Sequence, residues 1–251
     1  MNTPTTDQVD ATATPADWSR LSGASWFVFG MYLVAALAIF LILSRGLDTN
    51  INLTDRLQFI VEQGSRWTAA WLTWNVAALS LLLFFVSLSS VHAHHRSADR
   101  SLLKFAVALA TVAVATDLAA QAIEMGVVPD LASLTLSQLK SGSWTAASSA
   151  TLTLAMHRLA MVLTGYVANG ACALAVLAAS WSTRESFPSS VFAGGLVVGT
   201  AGLFLTVASL MHAVAVEYWS GVVLILTMMI WQAGVAVAAS ERACQLEKGS
   251  A

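Results

Sequence analysis

The sequence predicts an all-α polytopic membrane protein: a bundle of six transmembrane helices with two short extracytoplasmic surface helices. Two observations carry this. Of the 251 residues, 57% are hydrophobic and only 10% are charged, with a mean hydropathy of +0.71, whereas soluble domains carry about 25% charged residues. The apolar residues also fall into six continuous runs rich in Ala and Leu. Runs of this kind lack the alternation of a lipid-facing β-strand, and only helices can pair all of their backbone amides inside hydrocarbon.

A spanning helix needs about 20 mostly apolar residues at about 1.5 Å each. The runs are Ala24 to Leu43, Trp67 to Val91, Leu102 to Met125, Met156 to Ser180, Val191 to Met211 and Gly221 to Ser240. They divide the chain into a polar N-terminal tail (residues 1–23), a transmembrane domain (24–240) and a polar C-terminal tail (241–251). The N-terminal tail carries Asp7, Asp10 and Asp17 against Arg20 alone. A secretory signal begins with a basic region, so the first run is expected to be an anchor that stays. Trp26, Trp67, Trp181 and Trp219 each fall near a span end, where an apolar ring with one polar N–H is favoured.

Two connections are long. In the first, Leu53, Leu57, Ile60 and Val61 recur at helical spacing, with Asn52 or Thr54 available as a cap. In the second, Pro129-Asp130 opens DLASLTLSQLK. Each is expected to be a short helix on the outer surface, either covering the mouth of the bundle or filling space. Orientation follows from the bases. Arg20, Arg96, Arg100, Lys104, Arg184, Arg242 and Lys248 fall on one side, against Arg45, Arg56, Arg66, Lys140 and Arg158 on the other. The more basic side is the cytoplasmic one, so both termini are expected there.

The polar residues inside the spans carry what functional signal there is. Gln121 lies about 40° round the helix from Asp117, and Glu124 about 20° to the other side. The three share one stripe, with Asp117 about 22 Å along a core of about 30 Å. A charged side chain at mid-membrane costs at least about 2.5–3.5 kcal/mol. His157 and Arg158 open the fourth span at a similar depth, and Arg158, Gly165 and Asn169 follow at i, i+7 and i+11. Arg158 could pair with Asp117 or Glu124 through a bidentate bond, or reach to the headgroups. His212 and Glu217 close the fifth span near the same level. Asp117, Gln121, Glu124, His157, Arg158, Asn169 and His212 are therefore the candidate ligand or ion cavity.

Other patterns are weaker. Trp67, Trp71 and Trp74 form a stripe on the second span, with Asn75 beside it, suited to packing or to an aromatic pocket. Gly195, Gly199 and Gly202 permit close helix approach. His92, His94 and His95 make a poor metal site and read better as a hydrated flank. No cofactor is expected. A bis-histidine haem on His157 and His212 is the nearest alternative. Cys172 and Cys244 have neither zinc nor disulfide spacing. A zincin HExxH and a nucleophile elbow are both absent, so the chain reads less well as an enzyme. A net charge of -2 gives no sign of affinity for nucleic acid.

The stretch FIVEQGSRWTAAWLTWNVAALSLLLFF, followed by ATDLAAQAIEMGVVPDLA, resembles a DUF4386-type family of bacterial six-helix membrane proteins with no assigned activity. The resemblance implies six helices, both termini inside and a bacterial cytoplasmic membrane. It carries over no catalytic residue. Two functions are then expected to compete. One is an outward-facing polar cavity that binds or passes a small molecule or ion. The other is a scaffold, sensor or accessory subunit with structural ion pairs, whose partner is a second copy or another membrane protein.

Overall fold

The computed structural model describes residues 13–47, 52–93 and 97–249. Among these the chain is all-helical, and no strand is present. Six helical rods are long and apolar enough to cross a membrane. The first is α1 (Pro15–Leu41), followed by the short α2 (Leu53–Glu62). The second rod is α3 (Gly64–Val91). The third joins α4 (Ser97–Ala122) to α5 (Val128–Ser141) through a π-turn at Ile123–Val127. The fourth joins α6 (Ala146–Val162) to α7 (Asn169–Ser182) through a π-turn at Leu163–Ala168. The last two are α8 (Ser189–Leu210) and α9 (Val214–Gly249).

Each rod packs on its neighbours in the chain, and α1 packs on α9, so the six close into a ring. The centre of that ring is filled. Leu21, Phe84, Ala106, Val176, Val198 and Trp231, one from each rod, lie in a single buried cluster, and Phe84 stands edge-on to Trp231 at 5.3 Å. Outward-facing Leu33, Leu37, Leu79, Leu83, Val112, Phe204 and Ile230 are exposed. Large apolar side chains thus lie outside as well as inside, whereas soluble proteins keep most of them inside.

The rods overrun the apolar runs at both ends of the chain. α1 starts at Pro15 rather than at Ala24, because Thr14 and Asp17 form a capping box and Pro15 fits the first turn. Trp18 and Leu21 consequently belong to the core. α9 continues past Ser240 to Gly249 through residues that favour helix. Hydropathy marks where apolar surface stops, and helix need not stop there.

The two short helices differ from each other. α2 is free-standing, and Asn52 Oδ1 caps it by accepting from the amides of Thr54 and Asp55. It buries Leu57 and Ile60 as expected, but Phe59 is buried while Val61 is exposed. α5 continues the third rod directly. α2 and α5 pack together with Trp67 and Trp71, through Leu57, Ile60, Val128 and Ala132, over one end of the ring. We call this the cap end.

At the opposite end, His92 departs from the expected hydrated flank. It is 1% exposed, with Nδ1 on the Leu88 carbonyl and its ring against Trp18 and Phe187. His94 and His95 lie outside the described residues.

The glycine stripe of α8 is an internal seam. A Cβ on Gly199 would run into the Leu177 side chain and lie 3.2 Å from the Ala173 carbonyl oxygen of α7. Gly199→Ala is therefore expected to destabilise the fold by about 1–3 kcal/mol through overpacking. Unfolding in detergent would measure this, with Gly221→Ala, where a Cβ meets nothing within 4 Å, as the control.

Candidate functional site

The polar stripe of the third rod faces the fourth, and the two are joined by a ladder of buried contacts. Asp117 accepts two hydrogen bonds, at Oδ2 from the Gln121 amide (2.6 Å) and at Oδ1 from the Thr164 hydroxyl (2.8 Å). Seven residues on along one rod and seven back along the other, Glu124 Oε1 meets His157 Nδ1 at 2.7 Å. Beyond it, Thr135 and Thr153 bond through their hydroxyls at 2.9 Å. Gln121 and Glu124 are fully buried, and Asp117 and His157 nearly so.

Both rods carry their π-turns in this ladder. Glu124 sits in the first and Thr164 in the second. A π-turn holds one residue more than an α-turn, and such bulges recur at functional sites. Pro129 accounts for the first. The Val128 amide bonds back to Ile123 O, and the next amide along would be that of Pro129, which has no N–H. The Glu124 carbonyl then accepts from the Trp67 indole, at 2.8 Å. Trp67 is consequently not at an interface but 0% exposed. Its ring packs edge-on to Trp71 and covers Gly46, where a Cβ would overlap it. Trp67 and Trp71 are packing elements, while Trp74 is only partly buried.

Arg158 pairs with neither acid of the stripe. It points toward α8 and α9, where Nη2 donates to the Ser209 carbonyl (2.6 Å) and Nη1 lies 3.6 Å from Glu217 Oε2. Consecutive residues on a helix diverge by about 100°. His157 and Arg158 therefore cannot both face α4, and it is His157 that does.

Asn169 lies along the inward face from Thr164. With Tyr32, Trp74, Asp117, Thr164 and Cys172 it lines a cavity of about 40 Å³. That volume admits one or a few water-sized particles. A drug-sized molecule needs about 300–1,000 Å³. Nearby, Gln121 Oε1, Asn75 Oδ1 and Trp71 Nε1 are buried with no hydrogen-bond partner among the described residues.

His212 does not join the site. It is exposed in the turn between α8 and α9, where it adopts a left-handed backbone (φ 56°) that ends the helix. The amide of Ala213 reaches back to Ala208 O and that of His212 to Ser209 O, which is how a left-handed residue closes a helix. The two rings of the bis-histidine alternative are thus in unlike places: His157 is buried on Glu124, and His212 is exposed in a turn. Among the described residues no three His, Cys, Asp or Glu gather as a metal site.

Comparison with protein-family models, curated proteins and solved structures finds no match to this chain. Its chemistry is therefore read from the ladder itself. Thr164 and Tyr32 were not among the sequence candidates. Thr164 had a signal: it follows His157 by the seven residues that separate Asp117 from Glu124. Tyr32 had none. What the site offers is two buried carboxyl groups with unlike partners. Glu124 meets an imidazole, which can carry a positive charge. Asp117 meets an amide and a hydroxyl, which cannot.

Proposed function

We propose that the chain is an integral protein of a bacterial cytoplasmic membrane, crossing it six times with both termini inside and α2 and α5 on the outer face. In this reading the Asp117 cavity takes up a proton or a monovalent cation while the protein binds or passes a small solute. The exposed apolar belt and the seven bases against five support the topology. The resemblance to a DUF4386-type family is part of the same proposal and bears on architecture alone.

One observation carries the functional reading: both hydrogen-bond partners of Asp117 are neutral. A charged acid in hydrocarbon that serves structure alone is offset by a base, and the base expected from the sequence, Arg158, is engaged elsewhere. A proton or a small cation would neutralise Asp117, and a cavity of about 40 Å³ suits either. Oxygen donors for a cation are at hand in Asp117, Thr164 and Asn169.

The competing scaffold reading draws on the filled centre of the ring, where Phe84 and Trp231 pack edge-on within one buried cluster. Asp117→Asn separates the two. It removes the charge at nearly the same size, keeping one acceptor oxygen and replacing the other with an NH2 that can donate to Gln121 Oε1 once that amide turns over. The full chain is expected to show unfolding midpoints in detergent, and ion or proton flux in liposomes, that depend on pH or sodium, with Asp117→Asn abolishing that dependence. A substituted chain with unchanged dependence, or a native chain with none, would favour the scaffold.

A further inference from the structure

The cap end holds a second cavity, of about 180 Å³, between the end of α1, the start of α9 and α6. Two charged side chains stand in its wall, Arg158 and Glu217, and the remainder is Tyr218 and apolar surface such as Ile39, Met161 and Val222. The two form an ion pair without a direct hydrogen bond. Arg158 Nη1 and Glu217 Oε2 are 3.6 Å from each other, well beyond the about 2.7–2.9 Å of a charge-assisted hydrogen bond. Arg158 Nη2 is tied to the Ser209 carbonyl, while its Nε is buried with no hydrogen-bond partner among the described residues. Gly165 sets this geometry, because a Cβ there would meet Ser209 and lie 3.0 Å from Glu217 Oε1. The α6 rod can therefore lie close against the α8–α9 turn.

A ligand of one sign would be drawn by one of these groups and repelled by the other. A ligand carrying an oxyanion and an ammonium a few atoms apart satisfies both, and leaves its short apolar linker against Met161 and Val222. At 180 Å³ the cavity is below drug size, which limits the ligand to a handful of heavy atoms. We infer that this cavity binds a small zwitterion, with the oxyanion on the Arg158 guanidinium and the ammonium on the Glu217 carboxylate. Two sources present that chemistry: a free amino acid or amino phosphate, and the headgroup of a lipid that bears phosphate and ammonium. The assignment does not rest on the Asp117 reading.

The test follows the unfolding midpoint of the full chain in detergent by tryptophan fluorescence. β-Alanine and phosphoethanolamine at millimolar concentration are expected to raise it, while ethylamine, propionate and methyl phosphate are not. Arg158→Gln and Glu217→Gln should each abolish the rise. Met161→Trp should do the same by filling the cavity with both charges intact, which separates occupancy from loss of the pair. Asp117→Asn should retain the rise, so the two proposals fail independently. Nanodiscs of phosphatidylethanolamine and of phosphatidylglycerol form the second arm. Stabilisation by the former alone, lost in both Gln variants and absent with the free compounds, assigns the site to the lipid headgroup. The inference is overturned if no zwitterion, free or lipid-borne, raises the midpoint. It is equally overturned if ethylamine or methyl phosphate acts as well as the zwitterions, or if the rise survives both Gln substitutions.

Discussion

Trp67→Ala is expected to destabilise the protein by about 3–5 kcal/mol. The ring is fully buried in a cluster with Leu43, Leu57, Ile60 and Val128, so its loss opens a cavity between α2, α3 and the third rod. It also removes the indole N–H from the Glu124 carbonyl. Trp67→Phe separates the two effects. It keeps an aromatic ring in place and loses the bond together with a smaller part of the packing, the bond alone at an expected cost of about 1–3 kcal/mol for a buried acceptor left without a donor. Reversible unfolding in detergent or bicelles would measure both. If Trp67→Phe were neutral, the carbonyl would not depend on the indole, and the account of the π-turn given above would be wrong.

The second large effect belongs to the buried pair. Removing one partner of such a pair costs about 3–5 kcal/mol, because it strands the other, and this is the expected loss for Glu124→Ala or His157→Ala. A double-mutant cycle on Glu124→Gln and His157→Gln should return a coupling of about 0.5–3 kcal/mol. Arg158 and Glu217 are 24% and 21% exposed at the side chain, and their cycle should give only about 0.2–1 kcal/mol. The cycle on Asp117 and Arg158 should be additive within about 0.5 kcal/mol, since the two do not pair. Strong Asp117–Arg158 coupling would favour the scaffold reading.

These two predictions also mark where the sequence was legible. The stripe of Asp117, Gln121 and Glu124 was read from helical periodicity, and the three residues do lie on one buried face. Periodicity fixes angles within a single rod, and for that the pitch is sufficient. It says nothing of which neighbour supplies the facing residue. His157 and Arg158 are adjacent in sequence and similar in charge character, so the choice between them turned on the rotation of the fourth rod about its axis. Burial of Trp67 was hidden for a related reason. A tryptophan at a span end looks interfacial until a second element, here α2 with α5, is known to cover it. His212 shows the converse. Its place near the depth of the other polar groups was readable, but the left-handed turn that exposes it is a local backbone outcome.

The sequence by itself determined the class of structure: six apolar helical rods and their order. Those follow from composition and a one-dimensional hydropathy pattern, which depend on each residue's own transfer energy. Only the tertiary structure decided that the rods close into a filled ring, that Glu124 meets His157, and that Asp117 has neutral neighbours. Those depend on the rotation and register of packed helices, which are set jointly by side chains far apart in the chain.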